Sequence, residues 1–227
     1  MCGRYSFTLP PDAIRELFEA GNLPDFPSRY NIAPTDAVPV IRRSADGKRE
    51  AALMRFGLVP YWAKPGPNGK PQFDASTINA KAETVAEKPA FRQPFAKRRC
   101  LVLADGFYEW QKLAGGAKQA WRFVPEGNTA FAFAGIWDSW RPPAGEPVLS
   151  FAIITTDAND VVRPIHDRMP VILAPDAFDT WLDPRVAAEV AKAFLIPAPA
   201  RSLRAYRVSS RVNSVKNDDA ECIAPQA

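Results

Sequence analysis

Segments with the pattern of β-strands follow one another through most of this sequence, and they constrain the fold more than any other feature. Short apolar or alternating runs bounded by turn residues occupy residues 38–42, 51–59, 100–104, 107–112, 121–124, 130–136, 149–155, 169–173 and 203–208. The pair Gly115 and Gly116 predicts a hairpin turn between two of these runs. The regular alternation of strands and helices that a parallel α/β sheet needs is missing.

Helical patterns are few and lie at the margins of the strand-rich region. Ile14, Leu17 and Phe18 have helical spacing, and a helix there should end near Gly21. Further helical segments are expected at residues 80–87, 175–181 and 184–194. We therefore predict an α+β fold, a single domain over residues 1–227 with a mainly antiparallel, barrel-like β-sheet core and peripheral helices.

The composition and the cysteines exclude several classes of protein. Of the 227 residues, 47% are hydrophobic and 24% are charged, which is an ordinary globular balance. The first residues lack the apolar stretch of a secretory signal, and the longest apolar run, around residues 131–137, is too short to span a membrane. Three scattered cysteines (Cys2, Cys100 and Cys222) are too few for a disulfide framework or a zinc cluster. We predict a cytoplasmic protein with reduced thiols, no metal and no cofactor.

Basic residues cluster in two stretches, although the net charge is only +4. Residues 81–99 and 201–216 are both rich in Lys and Arg and poor in acidic residues. Positive patches of this kind bind polyanions by releasing counterions from phosphates. Solvated surface charge explains the same pattern, and charge alone favours neither interpretation.

Cys2 offers chemistry that an internal cysteine lacks. The initiator methionine is normally removed when the second residue is small, which would leave Cys2 with a free α-amine beside its thiol. Such a 1,2-aminothiol condenses with an aldehyde: the amine forms a Schiff base, and the thiol closes onto it as a five-membered thiazolidine. The α-amine, with an ordinary pKa of about 7.7–8.0, is partly neutral at pH 7 and therefore nucleophilic. Taken alone, however, a residue at this position is more often an incidental part of a frayed terminus.

Three further polar residues are candidates for chemistry, and each has a structural alternative. His166, the only histidine, exchanges protons readily near neutral pH, but a lone histidine is usually structural. Glu109 lies between aromatic residues that would raise its pKa by desolvation, whereas strand alternation favours an outward position. Asn79 precedes the helical segment at 80–87, and capping that helix is its simplest assignment.

Two large aromatic residues, Tyr61 and Trp62, end a predicted strand and precede a loop rich in Pro and Gly. Aromatic side chains on a loop stack on unpaired bases. Packing within the loop's own small core explains them equally well. Sequence patterns of P-loop proteins, serine esterases and zinc proteases do not occur.

Seven segments, taken together and in order, carry a resemblance to a known family. They are MCGRY (1–5), RYNIAP (29–34), FGLVPYWAK (56–64), INAKAET (78–84), ADGFYEW (104–110), IHDRMP (165–170) and a final stretch over residues 208–217. The chain resembles the SRAP family, the SOS-response-associated peptidase domain of abasic-site processing proteins. The similarity runs from end to end, and the candidate cysteine, glutamate and histidine all fall in its segments.

The resemblance implies a thiazolidine crosslink between Cys2 and a ring-opened abasic deoxyribose, in single-stranded DNA or at a single-strand/duplex junction. It also implies that Asn79 orients the cysteine or the sugar, that Glu109 handles protons during Schiff-base formation, and that His166 assists ring opening and reversal. By the same resemblance, the DNA-binding residues are Arg4, Lys81 and Arg168 on the backbone and Pro34, Tyr61 and Trp62 against the bases. The family commonly has Arg in place of Lys81, and Lys lacks the bidentate fork that grips phosphate. We expect a monomer that is cytoplasmic and associates with the nucleoid when bound to DNA.

Two other functions stay open on the sequence. A cysteine peptidase or N-terminal-nucleophile amidohydrolase would use the Cys2 thiolate against a carbonyl, and removal of Met1 would then be autocatalytic. A non-covalent single-stranded DNA-binding protein would use the basic stretches and would not need Cys2. The aldehyde trap differs from both because it needs the free amine and the thiol together. The aldehyde trap would shield the lesion, because capture of the imine by the thiol removes the electron sink that β-elimination needs. Lyase activity would then be only a minor side reaction.

Overall fold

The computed structural model describes residues 2–21, 23–66, 69–72, 74–127 and 130–226, and β-strands form most of its ordered core. The strands are β1 (Tyr5–Phe7), β2 (Arg29–Ile32), β3 (Ala37–Arg43), β4 (Arg49–Phe56), β5 (Asn79–Lys81), β6 (Arg99–Ala104), β7 (Gly106–Lys112), β8 (Lys118–Pro125), β9 (Phe131–Trp140), β10 (Val148–Asp157), β11 (Arg168–Pro170), β12 (Ile172–Leu173) and β13 (Leu203–Arg207). The α-helices are α1 (Pro11–Phe18), α2 (Arg92–Lys97), α3 (Phe178–Leu182) and α4 (Ala188–Lys192).

The core is a closed barrel of strands in the order β10–β4–β3–β6–β9, with β9 pairing back onto β10. Neighbouring strands are antiparallel except for β10 and β4, which are parallel. Aromatic side chains fill the interior, where Phe56 and Phe151 stack with their ring centres 5.2 Å apart. This architecture confirms the predicted α+β fold with a mainly antiparallel, barrel-like core.

A second antiparallel sheet, in the order β13–β8–β7–β1–β2, adjoins the barrel. The two sheets meet at Asp105, the residue between β6 and β7. Its carboxylate accepts hydrogen bonds from Ser6 Oγ at 2.5 Å, Thr8 N at 2.6 Å and Arg122 Nη2 at 2.9 Å. Gly106 makes this packing possible, because a Cβ there would lie 2.6 Å from Arg122 Nε. Strand β1, which follows the candidate Cys2, is thereby fixed against β7.

Strand β5 departs from the sequence-based prediction. We expected a helix at 80–87 with Asn79 as its cap, and this is wrong. Asn79 and Lys81 instead pair in parallel with Ile153 and Thr155 of β10, and turns follow. Hydrogen bonding to a central barrel strand outweighs the local helical propensity.

Most other predicted elements are present, with differences in length. The hairpin predicted at Gly115 and Gly116 joins β7 to β8. The helix expected at 184–194 is confined to α4, while β1, β2 and α2 were not predicted from the sequence. In the described part of the chain, no helix is long and apolar enough to cross a membrane.

Candidate active site

Cys2 is fully buried just ahead of β1. Its carbonyl accepts a hydrogen bond from Asn79 Nδ2 at 3.2 Å, and two residues later the Arg4 carbonyl accepts one from Tyr108 N at 3.0 Å. Burial raises the pKa of the Cys2 thiol well above its ordinary value, and the nearby charge of Glu109 raises it further. The thiol is therefore protonated at neutral pH.

Glu109 lies on the face of β7 that looks toward the barrel, so its outward alternative is wrong. It is 3% exposed and shares that face with Phe107, whereas Tyr108 packs on the opposite face in a small cluster of its own. Other residues cover both faces of β7 here, so the alternation of side chains along the strand does not expose Glu109 to solvent. Burial raises the pKa of Glu109 to about 8. Most of this carboxyl is protonated at pH 7, so it is a proton donor.

His166 faces Glu109 from the loop ahead of β11. Its Nε2 lies 3.9 Å from Glu109 Oε2, and its Nδ1 accepts a hydrogen bond from Arg168 N at 3.0 Å. Arg168 O lies 3.2 Å and Asp167 Oδ1 lies 3.1 Å from the same Nδ1, so this nitrogen has both donor and acceptor neighbours and either neutral tautomer satisfies it. Burial and nearby positive charge lower the pKa of His166. The ring is therefore mostly neutral near pH 7, and its Nε2 faces the Glu109 carboxyl.

Asn79 completes this group and presents an unused acceptor. Its Nδ2 donates to Cys2 O and, at 3.4 Å, to Ile153 O. Its Oδ1 is buried and has no hydrogen-bond partner among the residues that the structure describes. An acceptor left in this state costs about 1–3 kcal/mol, which a ligand hydroxyl or N–H would recover. In the same described part of the chain, no group of three or more His, Cys, Asp or Glu residues is arranged to hold a metal ion.

Lys81 and Arg168 lie on the two strands that pair with the end of β10. Lys81 pairs with Thr155, and Arg168 pairs with Asp157. The Lys81 side chain is exposed, whereas Arg168 is engaged: its Nη1 donates to Glu83 Oε1 at 2.6 Å and to Asp157 Oδ1 at 2.8 Å. The structure therefore brings the two cations to one edge, but only Lys81 extends freely into solvent.

Arg4 is fixed by the C-terminal part of the chain. Its Nη1 donates to Asn31 Oδ1 at 2.7 Å and to Val212 O at 2.9 Å, and its Nη2 donates to Asn213 O at 3.1 Å. The amide of Asn31, which is 1% exposed, donates to three carbonyls of the same C-terminal segment. Sequence reasoning did not assign a role to Asn31, and its place inside the RYNIAP segment was the only signal.

Tyr61 and Trp62 are 56% and 55% exposed, so the alternative that they fill the loop's own core is wrong. Their backbone is held firmly: Tyr61 N donates to Asp138 Oδ2 at 3.0 Å, and Trp140 Nε1 donates to Ala63 O at 2.7 Å.

Pro34 lies in a turn beside the strand that leads to this aromatic loop. The next residue, Thr35, has a φ of 83°, which is unusual for a β-branched side chain, and its N–H donates to Phe56 O at 2.8 Å. Since Phe56 ends β4, the half-buried Pro34 and the two exposed aromatics leave the barrel at the same edge.

Comparison with known proteins decides the family. A family model described as "SOS response associated peptidase (SRAP)" matches residues 1–215. The chain belongs to the SRAP family. This confirms the resemblance carried by the seven sequence segments.

Several relatives of this SRAP chain have names that describe their action. The abasic site processing protein YoaM of Bacillus subtilis is 39% identical over 227 residues, which cover 98% of this chain and 97% of YoaM. The abasic site processing protein HMCES of Gallus gallus is 38% identical over 225 residues, covering 86% of this chain and 66% of HMCES. A crystal structure of a protein from Bacteroides thetaiotaomicron superposes with a TM-score of 0.84 at 26% identity and covers 100% of both chains.

Proposed function

We propose that this SRAP protein captures abasic sites in single-stranded DNA as a thiazolidine, which the α-amine and thiol of Cys2 form once Met1 is removed. The observation that carries the proposal is the convergence of Cys2, Asn79, Glu109 and His166 from four separate segments of the chain. Relatives that cover nearly the whole chain are named for abasic-site processing. A ring-opened abasic sugar presents the aldehyde that a 1,2-aminothiol requires.

The raised pKa of Glu109 suits the first half of the reaction. The neutral amine of Cys2 attacks the aldehyde carbon and forms a carbinolamine. Glu109, protonated at pH 7, gives its proton to the departing hydroxyl, and one water leaves. The product is an iminium ion beside a carboxylate.

The buried thiol suits the second half. The Cys2 sulfur bonds to the iminium carbon, the C=N electron pair returns to nitrogen, and the thiol proton passes to the Glu109 carboxylate. The ring closes with the acid regenerated and with one water lost overall. Because burial keeps the thiol protonated until this step, the sulfur does not compete with the amine for the aldehyde.

Asn79 and His166 serve the sugar in this proposal. The side-chain amide of Asn79 donates a hydrogen bond to the Cys2 carbonyl, and its unused Oδ1 accepts a hydrogen bond from a sugar hydroxyl. His166, whose Nε2 lies toward Glu109, relays the proton that the sugar ring oxygen gains on opening and loses on closing. Arg4, Lys81 and Arg168 contact the DNA backbone, while Pro34, Tyr61 and Trp62 pack against bases.

The thiol argues against the peptidase alternative. A thiolate nucleophile needs a lowered pKa, whereas burial raises the pKa of Cys2 by more than the nearby positive charge lowers it. The non-covalent alternative differs in its chemistry, because it makes Cys2 dispensable.

The test incubates untagged, processed protein with an abasic single-stranded oligonucleotide and resolves the products on a denaturing gel. Wild type should give a heat-stable adduct, Cys2→Ala should give none, and its affinity for undamaged DNA should stay nearly intact. Cys222→Ala, which removes another buried free cysteine, is the matched control and should crosslink normally. Equal adduct yields from Cys2→Ala and wild type would refute the thiazolidine mechanism.

A further inference from the structure

A cavity of about 290 Å³ is lined by Trp62 of the aromatic loop and by Ser76 and Thr77, which precede Asn79 in the chain. We propose that this cavity binds the nucleobase next to the abasic site and prefers bases that carry an exocyclic amino group. The inference rests on the proposed function in taking single-stranded DNA with an abasic site as the ligand and in placing the abasic sugar at Asn79, but it does not depend on the covalent step.

One part of the cavity wall is apolar and preformed, and Lys64, Gln72, Asp74, Ser76 and Thr77 form the polar part. Leu58, Val59 and Pro60 are buried and form one side, and the half-exposed indole of Trp62 forms another. Leu58 N donates to Thr77 O at 3.1 Å, and Val59 N donates to Ser150 Oγ at 2.8 Å, so the loop does not need to rearrange. The volume is at the lower end of the roughly 300–1,000 Å³ of small-molecule pockets, which suits one flat ring system stacked on an aromatic face.

The rim of the cavity carries a carboxylate in a fixed orientation. Asp74 Oδ1 accepts a hydrogen bond from Ser76 N at 2.8 Å, and Asp74 O accepts one from Thr77 Oγ1 at 2.9 Å. This leaves Oδ2 of the exposed Asp74 to accept a hydrogen bond from a ligand. Cytosine, adenine and guanine present amino groups to such an acceptor. Thymine presents its single N–H between two carbonyl oxygens, which the carboxylate repels.

The chain links the cavity directly to a residue of the candidate active site. Thr77 lines the cavity, and Asn79, two residues later, holds the Cys2 backbone. On this proposal, a base seated beneath Trp62 belongs to a nucleotide that neighbours the one whose sugar reaches Asn79. On the other side of the loop, Tyr61 lines a separate cavity with Trp137 and Arg98, which makes Tyr61 an internal control.

The test uses oligonucleotides with a central tetrahydrofuran abasic analogue, which has no aldehyde, and varies the flanking base on each side. Fluorescence anisotropy should show wild type binding amino-bearing flanks at least about fivefold more tightly than thymine on one side of the lesion. Asp74→Asn keeps the acceptor for Ser76 N but loses the charge, and it should reduce the preference to within about twofold. Tyr61→Ala should weaken binding to every oligonucleotide and leave the preference unchanged.

Two outcomes would overturn the inference: wild-type affinities that do not depend on either flanking base, or a preference that survives in Asp74→Asn. Neither outcome bears on the covalent step, which the Cys2→Ala gel assay tests with aldehyde-bearing DNA. Conversely, an intact base preference in a protein that forms no adduct would leave this inference standing and refute the proposed chemistry.

Discussion

Replacing Glu109 with Gln should stabilise the protein at alkaline pH even though it impairs the chemistry. Burial raises the pKa of Glu109 from 4.5 to about 8, so the folded protein keeps a proton that the unfolded chain has lost. Below the pKa that Glu109 has in the unfolded chain, the carboxyl is protonated in both the folded and the unfolded state. Between the pKa of the unfolded state and that of the folded state, each pH unit lowers the free energy of unfolding by about 1.4 kcal/mol. Above the pKa of the folded state, the total loss of stability stays constant at about 5 kcal/mol. Gln at this position does not titrate, so the variant lacks this loss.

The assay measures the free energy of unfolding in urea for processed wild type and for Glu109→Gln between about pH 5 and about pH 9. The difference, variant minus wild type, should rise by several kcal/mol with pH and then level off. Glu83→Gln is the matched control, because the hydrogen bond from Arg168 lowers the pKa of Glu83 and moves its titration to more acidic solution. A Glu109→Gln profile as flat as the Glu83→Gln profile would refute the buried, protonated carboxyl on which the proposed acid step depends.

Three further perturbations test the site and the fold. His166→Ala should slow crosslinking less than Glu109→Gln but impair release of aldehyde from a preformed adduct, measured in a chase with excess abasic DNA; wild-type reversal would contradict the assigned relay. Lys81→Ala should reduce the slope of log binding constant against log salt concentration by about one unit or slightly less. An unchanged slope would show that Lys81 does not contact the DNA backbone. Gly106→Ala should lower the free energy of unfolding by about 1–3 kcal/mol, because its Cβ would lie 2.6 Å from Arg122 Nε; an unchanged urea midpoint would show that the guanidinium gives way freely.

Two of the barrel strands were predictable because their neighbours cover both faces. Strands β6 and β10 read as nearly continuous apolar runs, and all six residues of β6 are buried. Strand β5 was not predictable, since the segment has helical composition and becomes a strand only by pairing with β10. Strands β1 and β2 are too short for a periodic pattern, and Pro94 inside α2 disguises that helix.

The candidate site residues could be named from the sequence, but the contacts that place them could not. Cys2 and His166 stood out by their chemistry, and the family resemblance supplied their roles. The hydrogen bonds of Arg4 to Asn31 and Val212, and the pairing of Asp105 with Arg122, join residues distant in sequence. No local pattern encodes such contacts. The orphaned Oδ1 of Asn79 is likewise visible only once the residues around it are placed.

The hydrogen bond from Arg4 to Val212 spans 208 positions of the chain, so it forms only after Val212 has left the ribosome. Until then the nascent N-terminal strand leaves the ribosome without the segment that fixes it. On the proposed chemistry, its amine and thiol are open throughout that interval to any small aldehyde in the cell. A long-range closure of this kind is slow compared with local folding. On the proposed chemistry, we expect the fraction of molecules with an unreacted Cys2 to depend on how quickly this contact forms relative to the reaction of Cys2 with metabolic aldehydes.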